Sequence, residues 1–274
     1  MIDPNVIVML VSLLAAGAVA GVTTGLFGVG GGFIIVPTLI AILPIFTGEY
    51  EAMVHTAVGT SLASIIVSSM RAVQIHRKNG LVDFSVLKAW APWLVLGVCG
   101  GIWLASKMDS QTLILVFAIG VLVYSVYFIF PQYFERKTDP WSLPSGLGLA
   151  ALASVLGGFS SLLGIGGGTP FVVTMVVCGR RVHQAVATAA GVGFIIAIPG
   201  TLGFLLLGLN DPSELPWGAV GYIHIPALIA ISVMTMFTSP WGARLAQRMK
   251  ELHLKRAFGL YLIIVAASML NKLI

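Results

Sequence analysis

The run Gly28-Val29-Gly30-Gly31-Gly32-Phe33-Ile34-Ile35-Val36-Pro37 returns 136 residues later as Gly164-Ile165-Gly166-Gly167-Gly168-Thr169-Pro170-Phe171-Val172. In that register Leu13 also aligns with Leu149, Ala15 with Ala151, Val19 with Val155, Gly21 with Gly157, Leu26 with Leu162 and Thr38 with Thr174. Glycine richness alone would not align aliphatic positions. Further along, His55-Thr56-Ala57-Val58-Gly59-Thr60 corresponds to His183-Gln184-Ala185-Val186-Ala187-Thr188, Gly80 to Gly221, Gly101 to Gly242 and Phe117 to Phe258. One unit is written twice.

Of the 274 residues 58% are hydrophobic and 9% charged, where soluble domains carry roughly a quarter charged. The chain is therefore expected to be an integral membrane protein. Stretches such as Asn5 to Phe27, Leu143 to Leu163 and Ala185 to Leu209 reach the roughly 20 apolar residues that a span needs. The net charge of +5 comes from short basic clusters at the ends of apolar segments, a pattern that points to membrane topology and excludes nucleic acid as a partner. Met1 to Asn5 lacks the basic segment of a signal peptide, so the first helix is expected to stay in the mature protein. Cys99 and Cys178 stand alone in apolar surroundings and are read as packing residues. No metal or cofactor is called for.

Each half divides into five apolar segments, at 5–27, 33–46, 54–75, 86–105 and 112–133, then 143–163, 169–178, 184–208, 220–243 and 256–272. Thr47 to Met53 and Gly208 to Gly218 carry acids without bases, whereas Arg77-Lys78, Arg136-Lys137, Arg180-Arg181 and Arg244 to Arg256 are basic. Because Lys and Arg concentrate on the cytoplasmic side, the acidic loops face outside and the basic ones inside. Lys107 is the exception. Corresponding loops of the two halves then fall on opposite sides, as an odd number of segments per half requires. The expectation is an all-α polytopic protein of eight to ten transmembrane segments. It has a first membrane repeat at 5–133, a cytoplasmic linker at 134–142 and a second, inverted repeat at 143–272.

The segments behind the glycines are too short to cross. Phe33 to Phe46, with Pro37 and Pro44 inside it, and Pro170 to Cys178 would extend about 21 and 14 Å against a core of about 30 Å. Their glycine turns should lie at membrane depth, where irregular backbone survives only if protein or a wet cavity surrounds it. Each short helix would point its N-terminus, rich in unpaired N–H groups, into the protein. Two such ends make an anion site. The ordinary alternative is that the glycines only let helices pack closely.

Candidate substrate-binding residues are Gly30, Gly31, Gly32, Gly166, Gly167 and Gly168, with the hydroxyls Thr60, Ser61, Thr169 and Thr188. Thr23, Thr24, Ser160 and Ser161 flank the clusters; such hydroxyls donate to an oxyanion without adding charge or bond back to their own helix. His55, His183 and Arg71 are candidates for gating or proton coupling. Snorkelling to the inner surface is the competing role for Arg71. All ten acids lie in loops or at segment ends, so no carboxylate is placed for an intramembrane relay.

The 28–37 run, its counterpart at 164–172, and His55 to Leu62 followed by Gly80-Leu81-Val82-Asp83 together resemble the TauE/SafE family over nearly the full chain. These are membrane proteins described as exporters of sulfite or organosulfur anions and also grouped as toluene-sulfonate uptake permeases. The resemblance implies an inner-membrane transporter, not an enzyme, that exports sulfite, sulfoacetate or another organosulfonate by alternating access. A channel-like uniporter or an importer of another small solute is the alternative. The sequence departs from its own repeat at Thr169-Pro170, where the first half has Phe33-Ile34.

Overall fold

The computed structural model describes residues 4–27, 30–48, 50–78, 80–133, 142–211, 215–246 and 251–273. Ten α-helices make up nearly all of it: α1 Pro4–Phe27, α2 Gly32–Thr47, α3 Met53–Lys78, α4 Phe84–Ala105, α5 Ser110–Ile129, α6 Gly146–Leu163, α7 Gly168–Val177, α8 Val182–Leu209, α9 Ile225–Ala246 and α10 Glu251–Asn271. Among the described residues seven of these, all but α2, α7 and α10, are long and apolar enough to cross a membrane. The chain is an all-α multi-pass membrane protein. Of the expected linker at 134–142, only Ser142 lies within the described residues.

Every expected apolar segment is a helix; α6 begins at Gly146 where 143 was expected and α10 at Glu251 where 256 was expected, and two further boundaries differ for local reasons. The segment expected at 112–133 ends at Ile129, because Pro131 lacks an N–H and forces its predecessor out of helical geometry: Phe130 has φ −120° and ψ 51°. The segment expected from 220 begins as a hairpin, β1 Ala219–Val220 against β2 Ile223–His224. Gly218 and Gly221, both at positive φ, turn the chain there, and α9 starts only at Ile225.

α3 is the axis of the fold. Every residue from Met53 to Ile65 is buried, and α3 contacts α2, α8 and α9. Around it α1 lies along α9, α4 along α6, and α5 along α10. Lipid supplies no hydrophobic force between helices, so these pairs depend on close packing, which small residues permit. Gly97 and Gly101 of α4 bring its backbone against Ser154 and Gly158 of α6, and Gly17 and Gly21 of α1 do the same against Ile231 and Thr235 of α9. Large apolar side chains such as Leu96, Trp103, Val123, Phe237 and Ile264 face outward. In water such a surface would be a liability; here it meets lipid.

A methyl group at Gly97 would strike the Ser154 carbonyl, whereas one at Gly100 would meet open space. Gly97→Ala should therefore destabilise the detergent-solubilised protein by about 1–3 kcal/mol, and Gly100→Ala should leave its melting temperature in place. Equal melting of the two variants would show that α4 and α6 do not touch at this crossing.

Candidate functional site

The two glycine turns have the same backbone solution. Gly30 and Gly31 have φ of 78° and 80°, Gly166 and Gly167 of 67° and 71°, the left-handed region that glycine enters without a Cβ clash. Gly31 is the N-cap of α2 and Gly167 that of α7, and neither helix has a side-chain cap. With 16 and 10 residues the two helices extend about 24 and 15 Å, still short of the bilayer core. Gly28 and Val29 lie outside the described residues.

The turns meet in the centre of the protein. A Cβ on Gly32 would collide with the Gly164 carbonyl and with Ile165, and Gly30 and Gly166 both rest on Ile65 of α3. Ser61 pins the junction by donating to the Gly164 carbonyl at 2.7 Å. The uncapped N-termini of α2 and α7 therefore converge on one buried region, backed by α3.

Most neighbouring hydroxyls are satisfied within their own helix. Thr24 donates to the Ala20 carbonyl at 2.7 Å, Ser161 to Gly158 at 2.8 Å, and Thr23 to Ala20 at 2.9 Å. Ser160 and Thr169 are different: both are buried, and neither hydroxyl has a hydrogen-bond partner. Ser160 Oγ lies 3.3 Å from where a Cβ on Gly167 would be, and Thr169 belongs to the first turn of α7. An unsatisfied buried hydroxyl costs about 1–3 kcal/mol, so two at one helix N-terminus need an explanation. At the position matching Thr169 stands Phe33, packed edge-on against Tyr124 and Phe258. Free hydrogen-bonding capacity is thus concentrated at the second turn.

Thr60 and Thr188 serve as latches. His224 N–H donates to Thr60 Oγ1 at 2.9 Å, and Asp83 N–H donates to Thr188 Oγ1 at 3.0 Å. Asp83 Oδ1 in turn accepts from Val86 N–H and caps α4, while His224 Nδ1 accepts from Ala227 N–H and caps α9. Each threonine so ties a central helix to the start of a peripheral one. The sequence expectation that these hydroxyls face substrate omitted this use of their lone pairs.

Two openings lie at opposite ends of α3. Near its C-terminus is a narrow cleft of about 10 Å³, room for a single water, lined by Thr24, Gly30, Ser69, His76 and Ser239 among others. Ser69, His76 and Ser239 were not singled out from sequence. Their only signal was a polar side chain in otherwise apolar helix. At the N-terminal end is a cavity of about 380 Å³ lined by Glu51, His55, Asp109, Asp211 and Tyr222 among others. His55 is buried there and its Nε2 lies 3.1 Å from the Ala105 carbonyl, whereas His183 is exposed. Residues matched in sequence are thus unlike in setting, because Ala105 and Tyr222 cover the first histidine. Arg71 is exposed and lines neither opening, as snorkelling requires. Among the described residues no cluster of His, Cys, Asp and Glu is arranged to hold a metal.

The latches give two tests. Thr188→Val leaves the Asp83 N–H unpaired and should cost about 1–3 kcal/mol in a melting experiment. Burial holds His224 below its ordinary imidazole value of 6.5; the Trp217 carbonyl acts in the opposite sense but lies outside hydrogen-bond geometry. Above pH 6.5 the ring is neutral in both folded and unfolded chains, and its contribution is fully present. As pH falls below that value the unfolded chain takes up a proton that the folded chain refuses, so stability declines. His224→Asn, which caps without titrating, should reduce the loss of melting temperature between pH 8 and 5. Parallel pH curves for the two proteins would contradict this.

Comparison with known proteins accords with this architecture. The sequence model of the family described as "Sulfite exporter TauE/SafE" matches residues 13–269. A Haemophilus influenzae protein named as a probable membrane transporter is 35% identical over 266 residues, covering 94% of this chain and 97% of its own. One of the same description from Methanocaldococcus jannaschii is 26% identical, over 91% of each chain. No solved structure gives a significant match. The glycine turns, the apolar helices and the full-length match converge: this chain is a polytopic membrane transporter and belongs to the TauE/SafE family.

Proposed function

We propose that the protein exports a small sulfur-containing oxyanion, sulfite or an organosulfonate such as sulfoacetate, across the cell inner membrane by alternating access. The observation that carries this reading is the pair of unpartnered buried hydroxyls, Ser160 and Thr169, at the uncapped N-terminus of α7. A helix N-terminus favours negative charge, and hydroxyl donors bind an oxyanion while leaving its charge for the membrane potential to act on. Gly30 to Gly32, Gly166 to Gly168 and Ser61 form the walls; Thr60 and Thr188 hold the flanking segments. The family description names sulfite, and the site chemistry is compatible with it.

We further infer that residues 5–133 and 143–272 are inverted repeats joined by the 134–142 linker. The pairing of α1 with α9 and of α4 with α6 is what a two-fold axis in the membrane plane would produce, and the matched left-handed glycines support it. Rocking of one half against the other would then open the site to either side. Acids among the described residues, Glu51, Asp83, Asp109, Asp211 and Glu251, lie at helix ends or in loops. The potential alone supplies about 2.3 kcal/mol per charge per 100 mV to an anion leaving a negative-inside cell.

Efflux of sulfite from proteoliposomes under an imposed potential tests the reading. Alanine at Gly31 or Gly167 is forced into left-handed geometry at about 1–2 kcal/mol, and at Gly167 it also strikes Ile196; both variants should lose most flux. Thr169→Val removes a donor to a charged ligand, about 1.5–3 kcal/mol, so half-saturation should rise about tenfold or more while the melting temperature holds or rises. Unchanged half-saturation in Thr169→Val and Ser160→Ala would refute the site.

A further inference from the structure

The cavity at the N-terminal end of α3 lies apart from the proposed anion site and has its own chemistry. His55 Nε2 faces the Ala105 carbonyl at 3.1 Å. A carbonyl only accepts, so Nε2 carries the ring proton and Nδ1 presents a lone pair. That Nδ1 has no hydrogen-bond partner, although the residue is 6% exposed and lines the cavity. Glu51, Ser106, Asp109 and Asn210 on the same wall are exposed, so water enters the cavity, while Nδ1 itself is buried at its wall.

The charges facing His55 are of one sign. The segment before α3 contributes Glu51, the α4–α5 turn Asp109, and the segment after α8 Asp211; both aspartates act electrostatically on the ring. Tyr222 stands against the ring at 5.2 Å between centroids and donates its hydroxyl to Asp211 Oδ2. Burial, then the bond to Asp211, raises the Tyr222 hydroxyl above its ordinary value, which keeps it the donor. From α8 the ring meets Phe204. α3 itself carries no other titratable group between Met53 and Ile65. Lys107, in the same turn as Asp109, is exposed and lies outside the cavity wall.

A buried lone pair surrounded by carboxylates accepts positive charge, and no described cluster here suits a metal. We propose that this cavity is a proton-binding site, in which His55 Nδ1 takes a proton from external water and Glu51, Asp109 and Asp211 stabilise the imidazolium. By the positive-inside rule the acidic end of α3 faces out. Resting on the export reading above, the site acts on release. An oxyanion leaving through a carboxylate-lined cavity is repelled, and a proton on His55 reduces that repulsion. Acid outside therefore speeds efflux.

Two measurements on the full chain separate this proposal from the substrate assignment. In detergent, diethyl pyrocarbonate modifies only the unprotonated ring, and mass spectrometry locates the product. His55 modification should be high at pH 8 and fall as the pH is lowered, and Asp211→Asn and Asp109→Asn should move the midpoint of that fall lower. Modification of His55 that is absent or independent of pH overturns the proposal. In proteoliposomes with internal pH and potential clamped, efflux of methanesulfonate, ionised throughout this range, should rise several-fold as external pH falls from 8 to 6. His55→Gln should flatten that dependence. A flat wild-type profile, or an unaltered profile in His55→Gln, also overturns it. If neither methanesulfonate nor sulfite moves at any pH, the substrate reading fails and the modification midpoint alone decides the proton site.

Discussion

A backbone N–H or carbonyl facing hydrocarbon without a partner costs several kcal/mol, and this rule bears hardest on the breaks that end at Gly31 and Gly167. The fold meets it by setting the two breaks against each other, with Gly32 against Gly164 and Ile165 and Ser61 bonded to the Gly164 carbonyl. The rest of the architecture follows from keeping that junction out of lipid. α3 must be buried from Met53 to Ile65 to back the turns, so it carries small residues and hydroxyls there where a lipid-facing helix would carry leucine. α1, α4, α6 and α9 must then close over the centre, which their glycines allow by bringing backbones nearly into contact.

Similar backbones carry different chemistry in the two halves. Asp83 and His224 occupy matching places, cap the following helix in the same way and latch to matching threonines, yet one is a carboxylate and the other an imidazole. Thr24 is satisfied by its own helix while Ser160, beside the equivalent glycine, is not. Phe33 fills with carbon the place where Thr169 offers a hydroxyl. A transporter working by the proposed rocking needs two alternative closures of similar energy; it does not need two identical binding half-sites. Polar groups concentrated on one turn give an anion a single place to stop.

Helix positions were readable because hydrophobic runs of bilayer length admit no other structure in lipid; the breaks at Pro131 and at Gly218 to Gly221 were missed, although each has a local cause. The glycine turns were readable too, since duplication exposed them and only glycine tolerates their geometry. The site was readable in part. Nothing along the chain distinguishes Thr24 and Ser161, whose hydroxyls are satisfied by their own helices, from Ser160 and Thr169, whose hydroxyls are not. The same holds for His55 and His183, one covered by Tyr222 and the other exposed.

Composition, periodicity and duplication by themselves determined a multi-pass helical protein with two short helices behind paired glycine turns, because those properties depend on neighbours in sequence and on the solvent. Only the tertiary structure decided which hydroxyls are left without partners, which threonines act as latches, and that Glu51, Asp109 and Asp211 gather around His55. Those facts depend on contacts such as Asp83 with Thr188, 105 positions apart, and Thr60 with His224, 164 apart, and no local pattern encodes which partner a side chain meets.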